Sequence, residues 1–363
     1  MIRIGIVGLP NVGKSTIFNA LCGGQAKVSN YAFCTVEPNR AVVPVPDPRL
    51  ERVAETFGQE RAVPVTVAFV DIAGLVRGAS EGEGLGNQFL AHIREVDAIL
   101  HVARCFADAQ VAHVEGDVDP RRDAEIVDLE LALADLGTVE RRLEKARVEA
   151  KSGSAEVRRQ MVFLEHLADV LGRGQRAAAV QATEAEGGVL AELHLLTARP
   201  ELYLANVAEN VGESGPLAAG LRAYAEERGS ASLELSGKIQ AELAQLPAGE
   251  RAQFAAELGV AADALDMVIA SSYQALDLVT FFTAVGKEAR AWPAPRGTTV
   301  SEAAGGIHSD MQRGFVRAEV MDFETLDQVG SWEEAHRRGL LRVEGRDYVV
   351  QEGDVIHVRF TTG

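Results

Sequence analysis

Residues 8–16, GLPNVGKST, place Gly8, four further residues, and then Gly13, Lys14 and Ser15. This is the G-x-x-x-x-G-K-[ST] spacing of a phosphate-binding loop. Glycines let successive backbone N–H groups turn toward one anion, and a helix starting just beyond adds the positive end of its dipole. Lys14 is then placed to reach the β- and γ-phosphates of a nucleotide, and the Ser15 hydroxyl to ligate Mg2+. Further on, residues 64–74, PVTVAFVDIAG, carry an apolar run into Asp71 and Gly74. An acid at the end of a buried strand is costly unless a cation or a donor meets it. Asp71 can hold a Mg2+-bound water, and the Gly74 N–H can sense a γ-phosphate. Between the two stretches, NYAFCTVEPN contains Thr35, a candidate switch hydroxyl that closes on Mg2+ and the γ-phosphate when the nucleotide is a triphosphate.

The residue after Gly74 is Leu75, where a water-positioning Gln is expected. Leucine has no polar atom with which to orient a nucleophile, so hydrolysis is slow or another group positions water. His113, in QVAHVEG, is a candidate: a neutral imidazole can accept a proton from water or orient it. An ordinary surface histidine is the competing reading. Asn11 offers a side-chain carbonyl inside the loop that could ligate a monovalent cation, K+, lying between phosphates.

A second recognition loop is LYLANVAEN, residues 202–210. Open α/β sheets bind ligands beyond the carboxyl ends of their strands, so Asn206, Val207 and Glu209 fall where a base is read. A guanine clamp reads Asn-Lys-x-Asp, its Asp accepting from guanine N1–H and the exocyclic amine. Here Val207 replaces Lys, and Glu209, one methylene longer than Asp, cannot put its oxygens in the same places. Facing adenine, a carboxylate would set acceptor against acceptor at N1. Asn206 can still donate to N7 and accept from an adenine amine. SLELSGKIQAEL supplies a further strand-to-loop turn, with Ser236 and Gly237 presenting backbone N–H groups and Lys238 lying on a base face.

These residues need a scaffold. Residues 2–7, IRIGIV, read as a buried strand, and STIFNAL as the helix behind the loop. The chain has 363 residues, enough for two or three domains, with a net charge of -17 that argues against whole-surface attraction to nucleic acid or anionic lipid. Three cysteines make no disulfide framework, and no apolar run spans a membrane; these features and the absence of a secretion signal imply a cytoplasmic protein. Residues 123–150 carry Ile126, Leu129, Leu133, Leu136, Val139, Leu143 and Ala146 at spacings of three and four, the stripe of a long helix. After KSGS a second helix follows, with Val157, Met161, Leu164, Ala168 and Leu171 on one face, so an antiparallel coiled-coil hairpin is expected. Its tip is rich in Arg and Lys, interleaved with Glu that fits intrahelical pairing. From residue 278 two strands joined near Gly286, a short helix and later strands suggest a β-grasp, ubiquitin-like module without an aromatic stacking platform for RNA bases.

The ordered set GLPNVGKST, NYAFCTVEPN, DIAGLVRGAS, LHVARCFAD and NVAE resembles the YchF (Obg-like ATPase) family of P-loop NTPases. The resemblance spans essentially the whole chain. It implies an α/β P-loop NTPase fold with an inserted helical coiled coil and a C-terminal TGS module: a nucleotide-binding domain at 1–121 and 193–277, the helical insertion at 122–192 and TGS at 278–363. It implies Mg2+-dependent binding and slow hydrolysis of ATP in preference to GTP. Phosphate contacts would come from Asn11, Val12, Gly13, Lys14, Ser15 and Thr16, metal ligands from Ser15 and Thr35, and base contacts from around Asn206, Val207 and Glu209. His113 matches the family's candidate catalytic histidine and Leu75 its apolar residue in place of Gln. Gly237 departs from an expected Ala, a change that should perturb little if the contact is made by backbone. TGS modules accompany ribosome-linked proteins, so the expected partners are the ribosome or its RNA and proteins, met by the hairpin tip and the TGS module; a membrane and sequence-specific DNA are not expected.

Overall fold

The computed structural model describes residues 1–26, 36–37, 39–72, 93–152, 154–209 and 215–361. The chain forms two compact units: Met1–Val43 with Ala68–Ser272, and Pro44–Val67 with Tyr273–Gly363. One sequence-based assignment is thereby corrected. Residues 44–67, expected in the nucleotide-binding domain, belong with the C-terminal module.

In the first unit β1 (Ile2–Val7) leads into α1 (Lys14–Ala26), and β2 (Val36–Glu37) pairs antiparallel with β3 (Arg40–Pro44). The chain gives α2 (Pro48–Thr56) and β4 (Arg61–Val63) to the second unit, then returns as β5 (Thr66–Asp71) and β6 (Ala98–Cys105). Three helices follow: α3 (Pro120–Glu149), α4 (Ala155–Gly172) and α5 (Glu184–Leu193). The sheet resumes with β7 (Glu201–Val207), α6 (Gly215–Glu227) and β8 (Ala231–Leu235), and α7 (Gly237–Leu243), α8 (Ala248–Leu258) and α9 (Ala264–Gln274) complete the unit, the last two residues of α9 falling to the second. The sheet order is β2-β3-β5-β1-β6-β7-β8. From β1 the pairing is parallel: Ile4 lies opposite Ala98, Ile99 opposite Glu201 and Leu202 opposite Ala231. Parallel strands covered on both faces read as unbroken apolar runs, and β6 is buried at every position.

The helical insertion leaves from β6 and returns to β7, its direct neighbour in the sheet. Asp119 caps α3 by accepting from the Arg122 N–H, with Pro120 in the first turn, and Ser154 caps α4. The hairpin core is Val139, Leu143 and Ala146 against Phe163, Leu164, Leu167 and Leu171. The expected stripe is only partly right, because Leu129 and Leu133 are 47% and 36% exposed. The cause is a change of partner: α3 first packs on β6 and α6 and only later on α4, so a different face is buried in each half. In the first half the buried residues include polar ones. Asp135 accepts from the N–H groups of Leu196 (2.9 Å) and Thr197 (2.8 Å). Asp128 accepts from the hydroxyls of Tyr203 (2.9 Å) and Tyr224 (2.7 Å) and pairs with Arg228 (3.1 Å). Beside it Glu201 meets His101 Nδ1 at 2.9 Å and Arg176 at 2.9 Å. Burial raises the Asp128 carboxyl above its usual range. Burial acts the same way on Glu201, but Arg176 and the bonds from His101 and Tyr203 outweigh it and hold that carboxyl at about 2.

The second unit is a mixed six-stranded sheet. Its later elements are β9 (Leu278–Val285), β10 (Glu288–Pro295), α10 (Val300–Ile307), α11 (Ser309–Arg313), β11 (Phe315–Asp322), α12 (Phe323–Val329), α13 (Trp332–Arg337), β12 (Arg342–Glu344) and β13 (Asp354–Phe360). The order β12-β11-β13-β9-β10-β4 puts β13 parallel to β9 at the centre, the β-grasp arrangement, with β4 added at one edge. Gly286, at φ 69°, turns the hairpin between β9 and β10. Phe281, Val300, Ala318, Val320 and Ile356 form the core. The segment 44–67 is held here by Arg49, which reaches Glu352 at 2.5 Å, and by the Phe57 ring against Trp332.

Candidate nucleotide-binding site

β1 delivers the chain to Gly8, whose φ is 148°; a Cβ there would stand 2.3 Å from the Val102 carbonyl oxygen of β6. The loop then turns at Asn11 (φ 63°) and Gly13 (φ 98°) before α1 begins at Lys14. A Cβ on Gly13 would lie 2.2 Å from Asn206 Nδ2, so this position requires glycine for conformation and for space. Lys14 is 7% exposed and its Nζ donates to the carbonyls of Gly8 (3.0 Å) and Leu9 (2.8 Å). Burial pushes its pKa down to about 8, against the opposing charge of Asp71. The Ser15 hydroxyl donates to Asp71 Oδ2 at 3.0 Å, so two of the expected metal-binding oxygens are neighbours. Hard oxygen donors beside a phosphate loop fit Mg2+. Thr35, Gly74 and Leu75 lie outside the described residues.

Next to the loop is a cavity of about 650 Å3, opened between the ends of β6, β7 and β8. Asn11, Gly13 and Thr16 line it on the side of the glycine loop, and Asn206, Val207, Glu209 and Ser236 on the side of β7 and β8. Of the described residues expected from the sequence to handle phosphate and base, Asn11, Gly13, Thr16, Asn206, Val207, Glu209 and Ser236 line the cavity, and Val12, Lys14, Ser15 and Gly237 do not. Val12 and Gly237 stand behind the lining, each hydrogen-bonded to Asn206.

Asn206 departs from its expected use. Its Nδ2 donates to the Val12 carbonyl at 2.8 Å and its Oδ1 accepts from the Gly237 N–H at 2.9 Å. The amide is 5% exposed and braces the phosphate loop against the first turn of α7, rather than presenting both polar atoms to a base edge. Gly237 is also less neutral than expected: a Cβ there would lie 3.0 Å from Ile17 Cγ1 and 3.2 Å from Asn206 Oδ1. Ser236 caps α7 with its side chain. Glu209 forms an ion pair with Lys238 across the mouth of the cavity, both side chains about half exposed or more.

His113 is buried, its side chain 3% exposed. Nδ1 accepts from the Glu115 N–H (3.2 Å), which leaves the proton on Nε2, facing Asp123 Oδ2 at 2.7 Å. Both ring nitrogens are thus engaged, on the side of α3. The adjoining Ala112 carbonyl accepts from Asn11 Nδ2 at 3.2 Å, so the segment is tied to the phosphate loop although the imidazole is not. For Asn11 as a cation ligand, the side-chain oxygen remains while the nitrogen is committed.

Sequence reasoning missed the third wall, Phe106, Asp108 and Val111, and the residue behind it, Arg104. The available signal was an arginine near the end of a largely apolar strand, in LHVARCFAD.

Residues 3–149 match the family described as "50S ribosome-binding GTPase", and residues 278–361 match the YchF-GTPase_C family, described as "Protein of unknown function (DUF933)". The "Ribosome-binding ATPase YchF" of Haemophilus ducreyi is 45% identical over 358 residues, 99% of each chain. The protein of that name from Bacillus subtilis is 45% identical over 359 residues, 98% of each chain. The solved structure of the Schizosaccharomyces pombe YchF GTPase matches with a TM-score of 0.87 at 33% identity, covering 99% of this chain and 97% of that one. With such identity sustained from end to end, the chain belongs to the YchF family.

Proposed function

We propose that this protein binds ATP in preference to GTP, hydrolyses it slowly with Mg2+, and acts as a ribosome-associated switch in the cytoplasm. The observation that carries the base preference is the Glu209–Lys238 pair. A carboxylate engaged by an ammonium, on a side chain longer than Asp, is a poor acceptor for guanine N1–H and its amine. The bacterial relatives are named as ATPases and the yeast structure as a GTPase, so the base is the point to test. In competition binding ATP should displace a labelled nucleotide better than GTP, and a Val207→Lys, Glu209→Asp variant should move toward GTP. GTP preference in the unmodified protein would overturn the assignment.

Bound Mg2+ supplies charge neutralisation between the phosphates, and Ser15 and Asp71 are the described residues that would hold it, with Thr35 joining them. Lys14 swings from the Gly8 and Leu9 carbonyls onto the phosphates, where its ammonium meets developing charge. Asn11 to Thr16 supply the cradle. His113 serves water only after leaving Asp123, which fits slow basal turnover, and a K+ ion on Asn11 Oδ1 would add charge at the same place. Equal rates in potassium and sodium buffers would remove that last role.

Association with the ribosome is supported by the relatives' names and is assigned to the hairpin tip and the second unit. Several tip cations are already paired, Arg142 with Glu149 (3.6 Å) and Arg147 with Glu144 (2.7 Å), which leaves binding to the shape of the arm as much as to its charge. Among the described residues no helix is long and apolar enough to cross a membrane. A second reading, an adaptor with incidental hydrolysis, is favoured by the engaged state of His113; turnover unmoved by added ribosomes would select it.

A further inference from the structure

Arg104 is 1% exposed, near the end of a strand that is buried throughout. A buried guanidinium is expensive unless its donors are met. Here every nitrogen is used, and every acceptor is a backbone carbonyl of the loop just ahead: Nε to Phe106 (3.0 Å), Nη2 to Asp108 (3.0 Å) and Nη1 to Val111 (2.9 Å). The guanidinium also lies 4.7 Å from the centre of the Phe106 ring. With these carbonyls gathered on Arg104, residues Phe106, Asp108 and Val111 line the cavity beside Asn206 and Val207. Within the loop Asp108 Oδ1 accepts from the Gln110 N–H (2.8 Å), and at its far end Asn11 holds Ala112. Arg104 sits opposite Asn206 in the β6–β7 register, so one buried residue props each side of the cavity there.

We propose that Arg104 is a positioning residue for the base: by gathering the carbonyls of loop 106–111 it presets the wall against which the purine ring lies. It can play this part only if the cleft takes a nucleotide, as proposed above. Its effect should be confined to the base half of the ligand. Arg104→Lys keeps the charge but reaches fewer of the three carbonyls, and Arg104→Gln removes the charge.

The test compares full-length protein and the two variants for affinity toward ATP and toward inorganic tripolyphosphate, which has the phosphates and no base. ATP affinity should fall about tenfold or more in Arg104→Gln and less in Arg104→Lys, with tripolyphosphate affinity within about twofold of the unmodified protein and the loss appearing in KM rather than kcat. Equal loss for both ligands, or unchanged ATP affinity, overturns the proposal. Failure of the unmodified protein to bind ATP or GTP would instead overturn the nucleotide reading. Should the variants not fold, hydrogen exchange on the unmodified protein decides: the Gln110 and Val111 amides should be protected before any nucleotide is added, and exchange at unstructured rates until nucleotide binds would refute a preset wall.

Discussion

Lys14 should make the empty protein less stable than it need be. Its ammonium is buried, it meets two carbonyls rather than a carboxylate, and its pKa falls from 10.5 to about 8. At about 1.4 kcal/mol per unit, that depression corresponds to roughly 3 kcal/mol of penalty at pH 7. Lys14→Met removes the charge and keeps the apolar stem. It also strips a donor from two carbonyls, which offsets about 1–2 kcal/mol, so the variant should be more stable by about 1–2 kcal/mol at pH 7. Between pH 8 and 10.5 the unfolded chain keeps a proton that the folded chain has lost, so the stability of the unmodified protein climbs with pH while the variant gains nothing from this group. The penalty is full below the folded pKa and gone above the unfolded one, and the order should invert near the top of that window. Urea denaturation of both proteins without nucleotide, at pH 7 and pH 10, measures this. Saturating ATP should stabilise only the unmodified protein. A variant less stable at pH 7, or a gap that stays constant with pH, would refute the idea that the phosphate-binding lysine is held at a cost.

Gly237→Ala should weaken ATP binding a few-fold and cost about 1 kcal/mol in denaturation, through pressure on Ile17 and Asn206; Gly13→Ala, with its closer approach, should abolish binding. Asp123→Ala frees the His113 ring, so phosphate release measured in single turnover should rise several-fold if that histidine serves water; an unchanged rate removes the role. Leu167→Ala, in the hairpin core, should cost about 2–5 kcal/mol in that arm by hydrogen exchange, with ATP affinity within about twofold. Arg176→Met takes the paired guanidinium from buried Glu201, leaving it His101 and Tyr203, and should cost about 3–5 kcal/mol at pH 7. Glu201 contributes its stability above pH 4.5 and loses it as pH falls toward 2, so the difference between variant and parent should shrink at pH 4.

The phosphate loop was legible because its backbone demands glycine at set places and a strand and a helix flank it within a few residues. Glu209 and Ser236 were found by type and by position at a strand end. The work of Asn206 was not, since its partners lie 194 and 31 positions away and only the fold brings them together. His113 stood out as a histidine, but its burial against Asp123 depends on where α3 starts. Periodicity misjudged Leu129 and Leu133 because it assumes that a helix keeps one partner along its length, and α3 does not. Arg104 was hidden by the apolar run around it. The short strand β4 carries too few residues to say which sheet it will join.

The membership of β4 has a consequence for how the chain is made. Glu60 and Lys287, which pair at 3.0 Å within the second unit, are 227 positions apart. At roughly 5–20 residues per second, α2 and β4 leave the ribosome about 10–45 s before β10 exists to receive them. The first unit can close in that interval, with Leu50 and Val53 of α2 lacking the surface that will bury them. A chain truncated after residue 272 would preserve that waiting state permanently. It would carry a helix whose apolar face, Leu50, Val53 and Ala54, has lost its cover, so aggregation of such a fragment would report a missing partner rather than a defective nucleotide domain.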